Sequence, residues 1–261
     1  MKIKEILSHL ESFAPPGYQE EYDNSGLIAG NPEAECTGVL LSLDCTEDII
    51  QEAIDHKCNL VVSHHPLIFR PVRSISPENS QGKTLIAAIK NDIIIYAIHT
   101  NLDNIPVGVN ATMADILGLT DREILLPRAG DPGIGSGMIG NLKEPVPESE
   151  VLKLIRKGFG IPAIRHSALT GRPISRIALC GGAGSFLISK ALQQGAGLFI
   201  SADIRYHEFF GGEGKMIIAD IGHYESEQFT ISLLYKVILE KFPNFAVLKS
   251  GKITNPVNYY I

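Results

Sequence analysis

Six residues of this chain combine metal-ligand chemistry with one kind of position: His64, His65, His99, Asp103, His223 and Glu227. Imidazole is the commonest protein metal ligand. Imidazole with carboxylate forms a borderline-to-hard donor set that suits Zn, Mn, Fe, Co or Ni rather than Cu(I). His64-His65 closes the run Leu60-Val61-Val62-Ser63, which reads as a buried strand, and Pro66 turns the chain out of the sheet. His99 follows the apolar run 93–98, and His223 follows 216–221 and Gly222. Each has a carboxylate four residues on, Asp103 and Glu227, and residues four apart share a helix face. Two metals roughly 3.5–4 Å apart, bridged by a carboxylate, use about this many ligands and leave room for water. The same residues have plainer readings. A His-His pair can simply pack, and an acid in a first helical turn favours the helix dipole.

Those positions need an α/β scaffold. Ile3, Ile6, Leu7, Leu10 and Phe13 have helical spacing and predict a helix over 3–13, ended by Pro15-Pro16-Gly17. A strand at 39–43 leads through Asp44-Cys45-Thr46 into a helix with Thr46 at its cap and Glu47 and Asp48 in its first turn. The strand ending at His64, a Pro-containing loop over 66–80, a helix at 83–90, the strand 93–98 and a helix at 108–117 follow. The second half reads as a strand at 137–141, a helix at 148–158 and strands at 162–168 and 174–180. A helix capped by Ser185, strands at 198–201 and 216–221, and a long helix over 224–241 complete it. This alternation predicts parallel strands, and in such sheets ligands bind outside the carboxyl ends, where the six candidates fall.

The two halves resemble each other. Residues 39–65 lie over 177–203 without a gap, matching Leu41 with Leu179, Ala53 with Ala191, Leu60 with Leu198 and Ser63 with Ser201. The expected architecture is two similar α/β domains related by an internal pseudo-repeat. The turn-rich stretch 127–137 is the expected boundary, giving domains 1–127 and 128–261, with the C-terminal helix free to pack on either.

Composition excludes several functions. The chain has 261 residues, 44% of them hydrophobic, and a net charge of −6. No basic run offers a nucleic-acid surface. No apolar stretch reaches the ~18–20 residues of a membrane span. The N-terminus does not read as a signal peptide. Cys36, Cys45, Cys58 and Cys180 form no C-x-x-C pair and read as buried thiols in a reducing compartment, so a cytoplasmic location is expected.

Other motifs carry weaker expectations. Gly181-Gly182-Ala183-Gly184-Ser185 reads as a tight turn in preference to a phosphate cradle, since it lacks the Lys-Ser/Thr of a P-loop. Asp203 and His207-Glu208 follow a strand, and the repeat puts Asp203 where the first half has His65. They are either groups supporting or facing the site, or a solvated helix start. His9, His56 and His166 read as ordinary surface or edge residues.

Taken together, Asp23-Asn24-x-Gly26-Leu27, Ser63-His64-His65-Pro66, His99-x-Asn101-Leu102-Asp103, Gly181-Gly182-x-Gly184 and Gly222-His223-x-x-x-Glu227 resemble the GTP cyclohydrolase type 2 homologue family, also called the Nif-three-like family. The resemblance covers nearly the whole chain in order. It implies two similar α/β domains with a dinuclear divalent-metal site between them and a homohexameric ring. By motif position the metal ligands are His64, His65, Asp103, His223 and Glu227, with Glu227 bridging, and His99 is a nearby proton shuttle or occasional ligand. Tyr22 stands where the family often has Trp, and the short 127–147 connection leaves no room for the extra domain that some members carry.

The expected function is a hydrolase dependent on two divalent metal ions, acting on GTP or a related small molecule by water-mediated ring opening. The alternatives are a metal-binding regulatory or interaction protein without catalysis, and a two-metal phosphoesterase. The expected partner is the chain itself, with neither nucleic acid nor membrane.

Overall fold

The computed structural model describes residues 1–260. Helix α1 (Ile3–Phe13) is followed by strands β1 (Gly26–Ala29) and β2 (Val39–Ser42), helix α2 (Glu47–Asp55), β3 (Leu60–Ser63), α3 (Ser80–Lys90), β4 (Ile94–Ala97) and the short α4 (Thr100–Asp103). Next come α5 (Val109–Ile116), β5 (Thr120–Arg128), β6 (Asp131–Val146), α6 (Glu148–Phe159), β7 (Arg165–His166), β8 (Ile174–Ala183), α7 (Ile188–Gln193), β9 (Leu198–Ala202) and β10 (Ile217–Asp220). The chain ends through α8 (His223–Glu227), α9 (Thr230–Lys241) and β11 (Val247–Lys249).

These elements form two compact units. One joins Met1–Leu102 to Thr230–Pro256, and the other joins Asp103–Phe229 to residues 257–260. This division differs from the boundary at 127/128 read from the sequence. The turn-rich stretch is no linker: β5 and β6 pair as an antiparallel hairpin inside the second unit, with Arg128 opposite Asp131. Gly130, at φ 85°, supplies the backbone that a two-residue turn demands.

The first unit holds a five-stranded sheet in the order β1-β4-β3-β2-β11. β11, β2, β3 and β4 are parallel, and β1 runs antiparallel on the β4 edge. All four residues of β2, β3 and β4 are buried, as expected of parallel strands covered on both faces. Ile49, Ile50 and Ala53 of α2 and Leu85 and Ala88 of α3 pack against Leu40, Val61 and Ile95. Each fully buried Leu, Ile or Val among them contributes about 1.5–3 kcal/mol. Across the sheet, Tyr96 reaches Glu11 of α1, and His9 of α1 bonds the Val237 carbonyl of α9.

The second unit holds a six-stranded sheet in the order β5-β6-β8-β9-β10-β7. β8, β9 and β10 are parallel, while β6 and β7 run antiparallel to their neighbours β8 and β10. Val151, Ile155 and Phe159 of α6 and Met113 and Ala114 of α5 cover Ile177, Leu179 and Ile200 on one face. Leu187, Ile188 and Ala191 cover Ala178, Phe199 and Ile218 on the other.

The internal repeat is present in the strand register. Val39 pairs Leu60 and Leu41 pairs Val62 in the first unit, while Ile177 pairs Leu198 and Leu179 pairs Ile200 in the second. These are the equivalences of the ungapped overlay. The likeness extends further, because β3-β4-β1 and β9-β10-β7 share one order and the same antiparallel edge.

Several elements differ from the sequence reading. The strand expected at 162–168 shrinks to Arg165–His166. Ser185 caps no helix: its hydroxyl donates to Glu208 Oε1 at 2.8 Å, within a 3-10 turn over Ser185–Leu187. The expected long C-terminal helix is two helices, α8 and α9, and the break coincides with passage from the second unit to the first. Phe229, at the break, stacks edge-on against Phe159 at 5.9 Å.

Candidate metal centre

In the first unit, β3 and β4 end side by side and release His64, His65 and His99 at one edge of the sheet. His64 is fully buried. The ring centroids lie 5.0 Å apart for His64 and His65, 5.2 Å for His64 and His99, and 5.4 Å for His65 and His99. Their candidate ligand nitrogens fall within 4.8 Å of one another.

The other face of each ring is held by an oxygen. His64 Nδ1 lies 2.8 Å from the Ile98 carbonyl, His65 Nδ1 lies 2.7 Å from Asp44 Oδ1, and His99 Nδ1 lies 2.7 Å from Asp23 Oδ1. Carbonyls and ionised carboxylates only accept, so each Nδ1 carries the proton and each Nε2 carries the lone pair. This is the tautomer and the support that metal-ligating histidines use.

Asp23 is well suited to that support. Burial pushes its carboxyl pKa up, but the hydrogen bond and charge of His99, with the hydroxyls of Thr100 and Ser25, more than offset this and hold it well below the usual range. The Thr100 backbone N–H also donates to it at 3.1 Å. Asp23 is thus an ionised anchor for His99.

In the second unit, β10 ends at Asp220, and Gly222, at φ 92°, turns the chain into α8. One helical turn then brings His223 Nε2 to 3.2 Å from Glu227 Oε2, as their four-residue spacing requires. His223 Nδ1 lies 2.8 Å from Asp203 Oδ2. With the proton on Nδ1, lone pairs on Nε2 and Oε2 face each other, an arrangement that calls for a proton or a metal ion. Glu227 is only 2% exposed, and a buried carboxylate is stabilised by a nearby cation.

The glycine run belongs to this cluster. It is no separate tight turn, because β8 continues through Ala183. Gly182 sits at φ 60°, and a Cβ there would collide with the Glu227 carboxylate and lie 3.2 Å from His223 Nε2. Its N–H donates to Ser226 Oγ, and Ser226 Oγ donates to the His223 carbonyl. Asn110 accepts from the Gly181 N–H and donates to the Asp103 carbonyl, tying the acid's backbone to the same loop. Burial, with the charges of Asp103 and Glu227, pushes the nearby Cys180 thiol up.

The structure therefore brings His64, His65 and His99 together in one unit, and His223 and Glu227 in the other, with Asp103 near the glycine loop. The donor set and its tautomers fit divalent metal. The sequence reading gives Asp44 only a place in a turn and quotes Asp23 in a motif without a role. The sequence signal for Asp44 is a carboxylate two residues past a strand parallel to the one that delivers His65.

The sequence model of the Duf34/NIF3 (NGG1p interacting factor 3) family matches residues 1–256. The chain belongs to that family. Among its curated relatives, a "GTP cyclohydrolase 1 type 2 homolog" of Clostridium perfringens is 34% identical, over 97% of this chain and 98% of its own. A protein of the same description from Lactococcus lactis is 33% identical over 98% of each. A hypothetical protein of Staphylococcus aureus, known from its crystal structure, superimposes with a TM-score of 0.91 at 28% identity, covering 100% of this chain and 99% of that one. Among the described residues, no helix of this Duf34/NIF3 chain is long and apolar enough to cross a membrane.

Proposed function

We propose that this chain is a divalent-metal-dependent hydrolase. His64, His65, Asp103, His223 and Glu227 would together hold a dinuclear centre, and His99 would move protons beside it. The observation that carries the reading is the orientation of four imidazoles, each with Nδ1 held by an oxygen so that Nε2 carries the lone pair. Divalent ions there supply Lewis acidity toward water and toward the electrophilic centre of the substrate. The chain's own residues orient and shuttle. Asp44, Asp23 and Asp203 fix the rings, Gly182 leaves space for the Glu227 carboxylate, and His99 takes a proton at Nε2 while its Nδ1–H stays on Asp23.

The names of the curated relatives favour GTP or a related compound, opened by water at the imidazole ring of the base. The family description, an interacting factor, favours a second reading in which the centre binds metal and the protein acts through partners without turnover. One experiment separates them. Metal-free protein is reconstituted in turn with Zn2+, Mn2+, Fe2+ or Ni2+, and consumption of GTP and release of phosphate from other phosphate esters are followed, with Glu227→Gln as control. Metal-dependent GTP turnover that the variant lacks supports the cyclohydrolase reading. Phosphate release alone moves the reading to a phosphoesterase. No turnover in a chain that binds about two ions leaves the non-catalytic role, and failure to bind metal sinks both.

A further inference from the structure

The C-terminal segment reaches a group that orients a metal-ligand candidate. β11 lies parallel to β2, with Val247 opposite Val39 and Lys249 opposite Leu41, so both strands end at the same sheet edge. Past that edge the chain is pinned. Ser250 N–H donates to the Leu41 carbonyl at 2.8 Å. Ser250 Oγ and Gly251 N–H both donate to the Glu52 carboxylate of α2. Three residues on, Thr254 Oγ1 donates to Asp44 Oδ2 at 2.5 Å, while Asp44 Oδ1 receives His65 Nδ1 at 2.7 Å. The two oxygens of one carboxylate are thus divided between a tail hydroxyl and a ring.

We propose that Thr254 is a positioning residue for His65, acting through Asp44. A carboxylate held at one oxygen can rotate about its side-chain bonds. Held at both, it presents Oδ1 in one direction, and the imidazole is aimed with it. The neighbouring Ile253 is 79% exposed, so packing of the tail does not by itself fix this contact. The hydroxyl matters, not the bulk of the side chain. This inference rests on the metal-site reading, but its geometry can be tested without metal.

The test uses full-length protein with Thr254→Val, which keeps the shape and removes the donor, and Thr254→Ser, which keeps the donor. In metal-free protein, the His65 Nδ1–H resonance should broaden and exchange faster with water in Thr254→Val and return toward wild type in Thr254→Ser. Zn2+ affinity, measured by chelator competition, should fall about 5–10-fold in Thr254→Val, at or below the low end of what loss of a direct outer-shell partner causes. In an Asp44→Ala background, Thr254→Val should cause no further loss, because the path to the ring is already cut. An unchanged Nδ1–H signal in Thr254→Val overturns the proposal whatever the metal result. So does an equal loss of affinity in the Asp44→Ala background. Absence of Zn2+ binding in the wild type overturns the metal-site reading instead, and the resonance then decides the positioning role alone.

Discussion

His99 donates from Nδ1 to Asp23 Oδ1 across 2.7 Å, although the two residues are 76 positions apart in the chain. Asp23 gathers donors at the sheet edge: His99, the Thr100 N–H and hydroxyl, the Ser25 hydroxyl and the Asn24 N–H. Replacing it with alanine should lower Zn2+ affinity about 10–100-fold if His99 takes part in metal binding. If His99 serves only in proton transfer, the loss should fall on turnover and its pH profile, with affinity unchanged. Chelator competition beside steady-state rates distinguishes the two.

Gly182 should tolerate no side chain. In Gly182→Ala the methyl group occupies the position of the Glu227 carboxylate, and the left-handed backbone alone costs about 1–2 kcal/mol. The expected outcome is loss of bound metal with the fold retained. Metal content by elemental analysis and the circular dichroism spectrum together check it.

Glu148 should set part of the acid limb of stability. Burial acts to raise its pKa, but the Thr170 hydroxyl and the backbone N–H groups of Thr170, Gly171 and Arg172 win, and it titrates below its ordinary value. A carboxyl depressed in the folded state contributes stability that is present above its unfolded pKa and is lost as pH falls through the folded one. Urea midpoints measured from pH 7 downward should therefore fall less steeply in Glu148→Gln than in wild type. At neutral pH the variant should be weaker by about 1–3 kcal/mol.

The cysteines should be silent in the native protein. All four are free and buried, and desolvation pushes Cys45 up to about 12 and Cys36 up to about 11. The thiolate is the reactive form. Iodoacetamide at pH 8 should label none of them in buffer and all of them in denaturant, as mass spectrometry will show.

Much of the scaffold was legible from local pattern. Ile3–Phe13 and the buried runs ending at Ser63 and Ala97 carry their periodicity within a few residues, and the donors at strand ends follow from them. The oxygens behind the rings were not legible, because each pair is joined by register. Ser42 opposite Ser63 puts Asp44 beside His65, and only knowledge of which strands are neighbours reveals it. β11 escaped notice because three residues have no period to read. The hairpin at 120–146 was missed because its glycines and prolines resemble a linker, although they serve its turn and irregular pairing. The long-helix expectation failed at Gln228, where the side chain bonds the Phe159 carbonyl.

The first unit takes its final strand and a covering helix from residues that follow Asp103–Phe229, the main body of the second. During synthesis the middle of the chain can therefore complete its own sheet while β2 still has an open edge and one face of the first sheet awaits α9. A nascent chain stalled before Thr230 would display that apolar surface to chaperones and to other copies, so the order of emergence makes Thr230–Pro256 the step that closes the first unit.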